Sequence, residues 1–393
     1  TQLKFDILNN MDFYLRFSFP ISEITDKKTK KTKHVVVMFN GLDESLDVHF
    51  TLYDRISTAL NARGITTVLL PTPFHLNRAA ILIKELKDQS IDPIKRTRKK
   101  PSDKLKEKPS LLLVNFAQSI REFHLLSMLM HRKFDRKELL AKERFSIDVK
   151  DPTEEDIFFY NRYFDCEELE ISVLGYSLGA LKALVCLKKI PEDIKKCVLL
   201  GGGGAIQELK LDPVVKDEDW QKIVATISPL TWDTHEKDTL EAEEFERSPD
   251  KNLIRQVLFG DKKVVAADEV KKLILIAGAN DSVVSTKSLE RLDVKNHGIN
   301  IIQIGELTHF LTQDPFFHIW YPRIMTTICD FLQDTEYNPI RLSECLDSLL
   351  IFNFFARNAF VSGVASENPM SFDFVCNQLC SKALASLKNM NAD

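Results

Sequence analysis

Hydrophobic positions fall along this chain in two periods. Residues 11–21, MDFYLRFSFPI, alternate strictly, with Met11, Phe13, Leu15, Phe17, Phe19 and Ile21 on one side, which predicts a half-buried strand. After the basic turn DKKTKKTK comes HVVVMFNG, an unbroken β-branched run that predicts a strand buried on both faces. Residues 46–63 carry a helical period stopped by Gly64, and ITTVLLP predicts the next strand. Further on, residues 110–134 predict a long helix, ISVLGYS a strand, SLGALKALVCLKKI a helix and KKCVLLGGGG another strand. KLILIAGAND and INIIQIGELTH restore the buried-strand pattern, and residues 316–334 read as a helix.

Strands alternating with helices predict an α/β fold, a mainly parallel sheet covered by helices on both faces. Between residues 206 and 268 strand patterning is lost and the chain turns acidic, with fifteen Asp/Glu against nine Lys/Arg. That segment is longer than a crossover requires. It divides a core of residues 1–205 and 269–334, and residues 335–393 read as a helical extension packed on that body. Within the extension, SLLIFNFFARNAFVSG is interrupted by Asn353, Arg357 and Asn358, so it reads as a packed helix. No apolar run reaches the roughly 18 residues that would span a bilayer.

Composition adds exclusions. The 393 residues are 44% hydrophobic and 28% charged, close to the average for globular proteins, so the composition suggests no disordered, collagenous or membrane class, and a net charge of −4 selects no partner. Seven cysteines form no CxxC pair and no metal-ligand spacing, which with the absence of a signal-like N-terminal pattern predicts a reducing, cytoplasmic setting. The sole glycosylation sequon, Asn280-Asp281-Ser282, includes a candidate site carboxylate, so a sugar there would obstruct that site. Residues 95–108 hold eight Lys/Arg against Asp103 and Glu107; without aromatic interleaving or amphipathicity they read as a solvated loop in preference to a patch for membranes or polyanions. Residues 201–204, four glycines, lack a following Gly-Lys-Ser/Thr and read as a flexible exit from a strand. Asp233-Thr234-His235-Glu236 lacks the spacing of a metal site.

One stretch carries chemistry. In VLGYSLGA, Gly175-x-Ser177-x-Gly179 sits where a buried strand gives way to a helix, so Ser177 occupies the apex of a sharp turn whose crowding small neighbours relieve. A helix N-terminus there also offers an unpaired N–H to a nearby oxyanion. The motif, its setting and the residues that follow resemble the α/β-hydrolase superfamily over about residues 35–332.

The resemblance implies an α/β-hydrolase fold in which a serine nucleophile is followed along the chain by an acid and then a histidine. LILIAGANDSVV supplies Asp281 and IIQIGELTHFL supplies His309, each just past a later strand. His297 and the acids Asp261 and Asp268 compete less well, because of where they stand relative to those strands. The oxyanion donors implied are the backbone N–H groups of Leu178 and, from the loop Asn40-Gly41-Leu42, of Leu42; Asn40 stands where the family frequently has His. Phe74 and His75 end a strand on the same edge of the sheet, where ordinary loop packing is the favoured role. The resemblance further implies a cap at residues 206–268 and a serine hydrolase acting on a small-molecule or lipid-like ester or thioester, with no cofactor, metal or nucleic acid. Acyl transfer or peptide cleavage by the same three residues, and a non-catalytic binding protein on the same fold, remain open alternatives.

Overall fold

The computed structural model describes residues 15–20, 31–42, 46–73, 105–131, 162–210, 215–229, 240–260, 265–266, 268–278, 281–284, 292, 300–304, 309 and 315–334. The proposed extension at 335–393, most of the basic stretch at 95–108, and residues 74, 75, 233–236, 261, 280 and 297 lie outside them.

Seven strands form one sheet: β1 (Arg16–Ser18), β2 (His34–Phe39), β3 (Thr66–Leu70), β4 (Glu170–Tyr176), β5 (Ile194–Leu200), β6 (Leu273–Gly278) and β7 (Asn300–Ile304). Their order is β1-β3-β2-β4-β5-β6-β7, with β1 antiparallel to β3 and every other pair parallel. The helices are α1 (Leu46–Asn61), α2 (Leu111–Met130), α3 (Leu178–Lys189), α4 (Asp217–Ile227), α5 (Leu240–Glu246), α6 (Lys251–Phe259) and α7 (Pro315–Leu332). Gly64 has φ +76°, the left-handed conformation suited to the tight turn that follows α1.

The period-2 alternation of the strands sorts their side chains between two cores. Val35, Val37 and Phe39 of β2, with Val173 of β4 and Leu275 of β6, pack against α2 and α3. Val36 and Met38, with Leu174 and Ile276, face α1 and α7 on the other side. β2, β3 and β6 are buried along their whole length, as the unbroken apolar runs require when both faces of a sheet are covered. Strand order, the antiparallel edge and helices on both faces give the α/β-hydrolase fold expected from the sequence.

This topology positions a site. From β2 the chain steps to β3 on one side, then crosses back to β4 on the other, so a crevice opens outside the carboxyl ends of β2 and β4. Asn40 to Leu42 follow β2 and Ser177 follows β4. In the acidic segment, α6 packs on α3 and α2, and α5 packs on α2. Lys189, at the C-terminal end of α3, binds Asp250 just before α6 (2.6 Å), and Lys188 binds Glu269 (2.9 Å). At the described end of the basic stretch, Lys106 pairs with Asp219 of α4 (3.2 Å).

His34, at the start of β2, is buried and meets Ser172 Oγ through Nε2 (2.9 Å). Burial, aided by nearby Lys195, pushes its imidazole down to about 4. The folded value lies below the unfolded one of about 6.5, so as pH falls the unfolded chain takes up this proton first. The stability that depends on neutral His34 is complete above about pH 6.5 and is lost as pH falls toward 4, a change on the order of 3 kcal/mol. Urea unfolding of wild type and His34→Gln between pH 7 and pH 4 is expected to show a shallower loss in the variant; equal slopes would contradict this.

Candidate active site

The backbone makes the site before any side chain does. Ser177 has φ 54° and ψ −122°, a conformation that costs a non-glycine residue about 1–3 kcal/mol and persists only where its surroundings fix it. Its N–H donates to Leu200 O of β5 (2.9 Å), and its own carbonyl accepts from Ala180 N–H (3.0 Å). Three backbones close around it. A Cβ on Gly175 would lie 2.1 Å from Gly179 O, one on Gly179 would lie 2.3 Å from Phe39 O, and one on Gly202 would lie 2.3 Å from Ser177 O. The two motif glycines therefore serve close approach. So does Gly202: the glycine run after β5 is packed against the serine turn, which corrects its reading as a flexible exit.

The structure brings Ser177, His309 and Asp281 together. Ser177 Oγ lies 2.7 Å from His309 Nε2, and His309 Nδ1 lies 3.0 Å from Asp281 Oδ2. The other carboxylate oxygen of Asp281 accepts the N–H groups of Val283 and Val284, both at 2.8 Å. Both side chains are buried, with 6% of His309 and 1% of Asp281 exposed. A carboxylate only accepts, so Nδ1 carries the proton of a neutral imidazole, and Nε2 is left with a lone pair to receive the serine O–H. Tyr176, next to the serine, adds a restraint on the histidine. Its hydroxyl donates to the backbone carbonyl of His309 (2.5 Å), and its ring stacks on the imidazole with centroids 5.7 Å apart.

A narrow cleft borders Ser177 and Gly202 and is lined by Leu42, Leu178, Leu181, Leu209, Val283 and Val284. The Leu178 N–H belongs to the first residue of α3 and so has no acceptor within the helix. Leu42 comes from the loop after β2. Asn40 in that loop is fully buried: its Oδ1 accepts Thr72 N–H (2.7 Å), its Nδ2 donates to Gly41 O (2.9 Å), and its backbone carbonyl accepts the Thr72 hydroxyl (3.3 Å). Leu209 brings the acidic segment to the edge of the cleft.

Of the competing groups, only Asp268 is among the described residues. Asp268 is exposed, whereas Asp281 is buried against His309. Burial pushes the thiols of Cys186 and Cys197 up, so these cysteines stay protonated and inert. Among the described residues no group of three His, Cys, Asp or Glu side chains could hold a metal ion, and no helix is long and apolar enough to cross a membrane. Sequence reasoning missed Tyr176, Gly202 and the bracing by Thr72. Of these only the glycine run left a local signal.

No protein-family model matches this chain, and no curated protein matches it. Among solved structures it is similar to a thermostable carboxyl esterase from Bacillus coagulans, with 13% identity, 82% of this chain and 93% of that one covered, and a TM-score of 0.41. Est1E from Butyrivibrio proteoclasticus is similar at 11% identity, with 81% and 94% covered and a TM-score of 0.39. A monoacylglycerol lipase from Paleococcus ferrophilus is similar at 13% identity, with 83% and 100% covered and a TM-score of 0.39.

The close approach at the turn is testable by stability. A Cβ at Gly175 would collide with backbone that cannot swing aside, whereas a Cβ at Gly64 would meet nothing within 4 Å and carry only the strain of φ +76°. Gly64→Ala should lower the unfolding free energy by about 1–2 kcal/mol, and Gly175→Ala by more than about 3 kcal/mol. Urea titration compares them, and equal losses would show that space at the turn is not limiting.

Proposed function

We propose that this protein is a serine hydrolase that cleaves a carboxylic ester or thioester through an acyl-enzyme formed on Ser177. One observation carries the reading: the unbroken hydrogen-bonded line from Ser177 through His309 to Asp281, set at the carboxyl edge of the sheet beside an apolar cleft. A serine hydroxyl is a weak nucleophile near neutral pH, so a base must remove its proton as the new bond forms. His309 Nε2 stands at hydrogen-bond distance for that transfer.

In the proposed reaction Ser177 Oγ bonds to the substrate carbonyl carbon while its proton passes to His309 Nε2. The carbonyl π electrons move onto oxygen, and that oxyanion is received by the N–H groups of Leu178 and Leu42. Collapse of the intermediate restores the carbonyl and breaks the bond to the alcohol or thiol, which leaves with the proton from His309. Water then repeats the sequence on the acyl-enzyme, with His309 as base and then acid, releasing the carboxylic acid and free Ser177. Asp281 keeps the imidazole in one tautomer and stabilises its cation without taking the proton.

The cleft supports an uncharged acyl group, because leucine and valine side chains dominate its wall and none of its lining side chains is charged. Residues 206–268 are proposed as a cap; Leu209 at the cleft supports that role for the start of the segment, whereas α5 and α6 pack on α2 and α3.

Hydrolysis of a panel of soluble ester, thioester and amide substrates tests this reading. Ser177→Ala and His309→Ala are expected to lower kcat by roughly 10⁴-fold or more, and Asp281→Asn by roughly 10²- to 10⁴-fold, with the folded state retained. Wild-type rates in Asp281→Asn would remove that carboxylate from the mechanism, and turnover that survives Ser177→Ala would remove the serine.

A further inference from the structure

A line of buried polar groups, unused by the chemical steps above, runs from the helix behind Ser177 to the loop that carries Leu42. It starts at Lys182 on α3, which is 0% exposed. Burying a polar amino group is unfavourable unless its N–H groups are bonded. Its Nζ donates to Asn115 Oδ1 (2.5 Å) and Ser119 Oγ (3.2 Å), both on α2, and lies 5.5 Å from the centre of the Phe116 ring. Asn115 Nδ2 donates to the carbonyl of Pro73 (3.0 Å). Pro73 adjoins Thr72, whose N–H and hydroxyl both go to Asn40, and Asn40 Nδ2 ends the line on Gly41 O.

Chemistry sets the direction of the side-chain links. The Lys182 N–H donates to the oxygen of the Asn115 amide, which leaves the NH₂ for the Pro73 carbonyl. The Thr72 N–H can only donate, so it takes Asn40 Oδ1 and leaves the Asn40 NH₂ for Gly41 O. The carbonyl of Gly41 and the N–H of Leu42 belong to one planar trans peptide unit and point in opposite directions. Holding Gly41 O against the Asn40 side chain thus turns the Leu42 N–H away from it and fixes the plane of that peptide.

We propose that Asn40 is the positioning residue for the oxyanion donor Leu42 N–H, and that Lys182, through Asn115 and the Thr72–Pro73 turn, anchors it to α3. The proposal rests on the hydrolase reading given above. It gives the buried lysine a role: α3 carries the Leu178 N–H at its first residue and Lys182 along its buried side, so both donors are referenced to one rigid element. An oxyanion hole stabilises charge only if its donors are already placed when the charge forms.

Asn40→Asp keeps the shape and the acceptor for Thr72 but sets an oxygen against Gly41 O. It is expected to lower kcat roughly 10- to 100-fold with KM within about twofold. The defect should narrow at acid pH, where a protonated carboxyl again donates to Gly41 O; Asn40→Ala should show a defect that does not narrow. Lys182→Met serves as the second variant. In it, amide hydrogen exchange at Thr72 should accelerate at least about tenfold while Ile274 in β6 keeps its wild-type protection. Exchange at Thr72 that is unchanged, or that rises equally at Ile274, overturns the anchoring role of Lys182. A folded Asn40→Asp with kcat within twofold of wild type overturns the positioning role of Asn40. A wild-type chain that neither hydrolyses esters nor reacts with a fluorophosphonate defeats the hydrolase reading instead, and exchange at Thr72 still judges the anchor on its own.

Discussion

The site depends on one backbone constraint: Ser177 is held at positive φ in a space too small for a Cβ on any of the three glycines that crowd it. The strain is local, but its support is not. The exit of β2 presses on Gly179, the exit of β5 presses through Gly202, and Leu200 O holds the serine N–H. Because these contacts are backbone to backbone, they leave the serine side chain outside the packing. The hydroxyl can therefore face the edge of the sheet although the residues on either side of it are buried.

Placement of its partners follows from the parallel sheet. Parallel strands end on the same edge, so the residues just after β2, β4, β6 and β7 converge without any of them being near in sequence. Asp281 is fixed by two N–H groups of its own turn, and His309 is fixed by Asp281 on one side and Tyr176 on the other. A buried carboxylate with both oxygens bonded holds its geometry at little cost, because its lone pairs are satisfied. The apolar lining of the cleft then keeps the dielectric low where charge would develop in the proposed reaction.

Much of this was legible in the sequence because the signals are local. The β-branched runs at β2 and β6 are continuous since both faces of the sheet are covered, and Gly64 marks the end of α1. Ser177, Asp281 and His309 each follow the end of such a run within five residues. What was hidden depends on distance in space. Nothing near Lys182 separates it from Lys188 and Lys189 of the same helix, yet those two are partly exposed and bind the carboxylates of Glu269 and Asp250, whereas Lys182 is fully buried against Asn115. The bracing of Asn40 by Thr72 joins the exits of β2 and β3, and the role of Gly202 becomes visible only once β5 lies beside β4. Of the alternating stretch 11–21, residues 11–14 and 21 lie outside the described residues, and within 15–20 it is Arg16–Ser18 that pairs with β3.

Locating a covalent adduct decides whether Ser177 is the nucleophile. The wild-type chain would be treated with a fluorophosphonate, digested, and mapped by mass spectrometry, alongside His309→Ala. The account predicts one phosphonylated residue, Ser177, and near-complete loss of its labelling in the variant. A chain that stays unmodified, or carries the phosphonyl group on another residue, would contradict it.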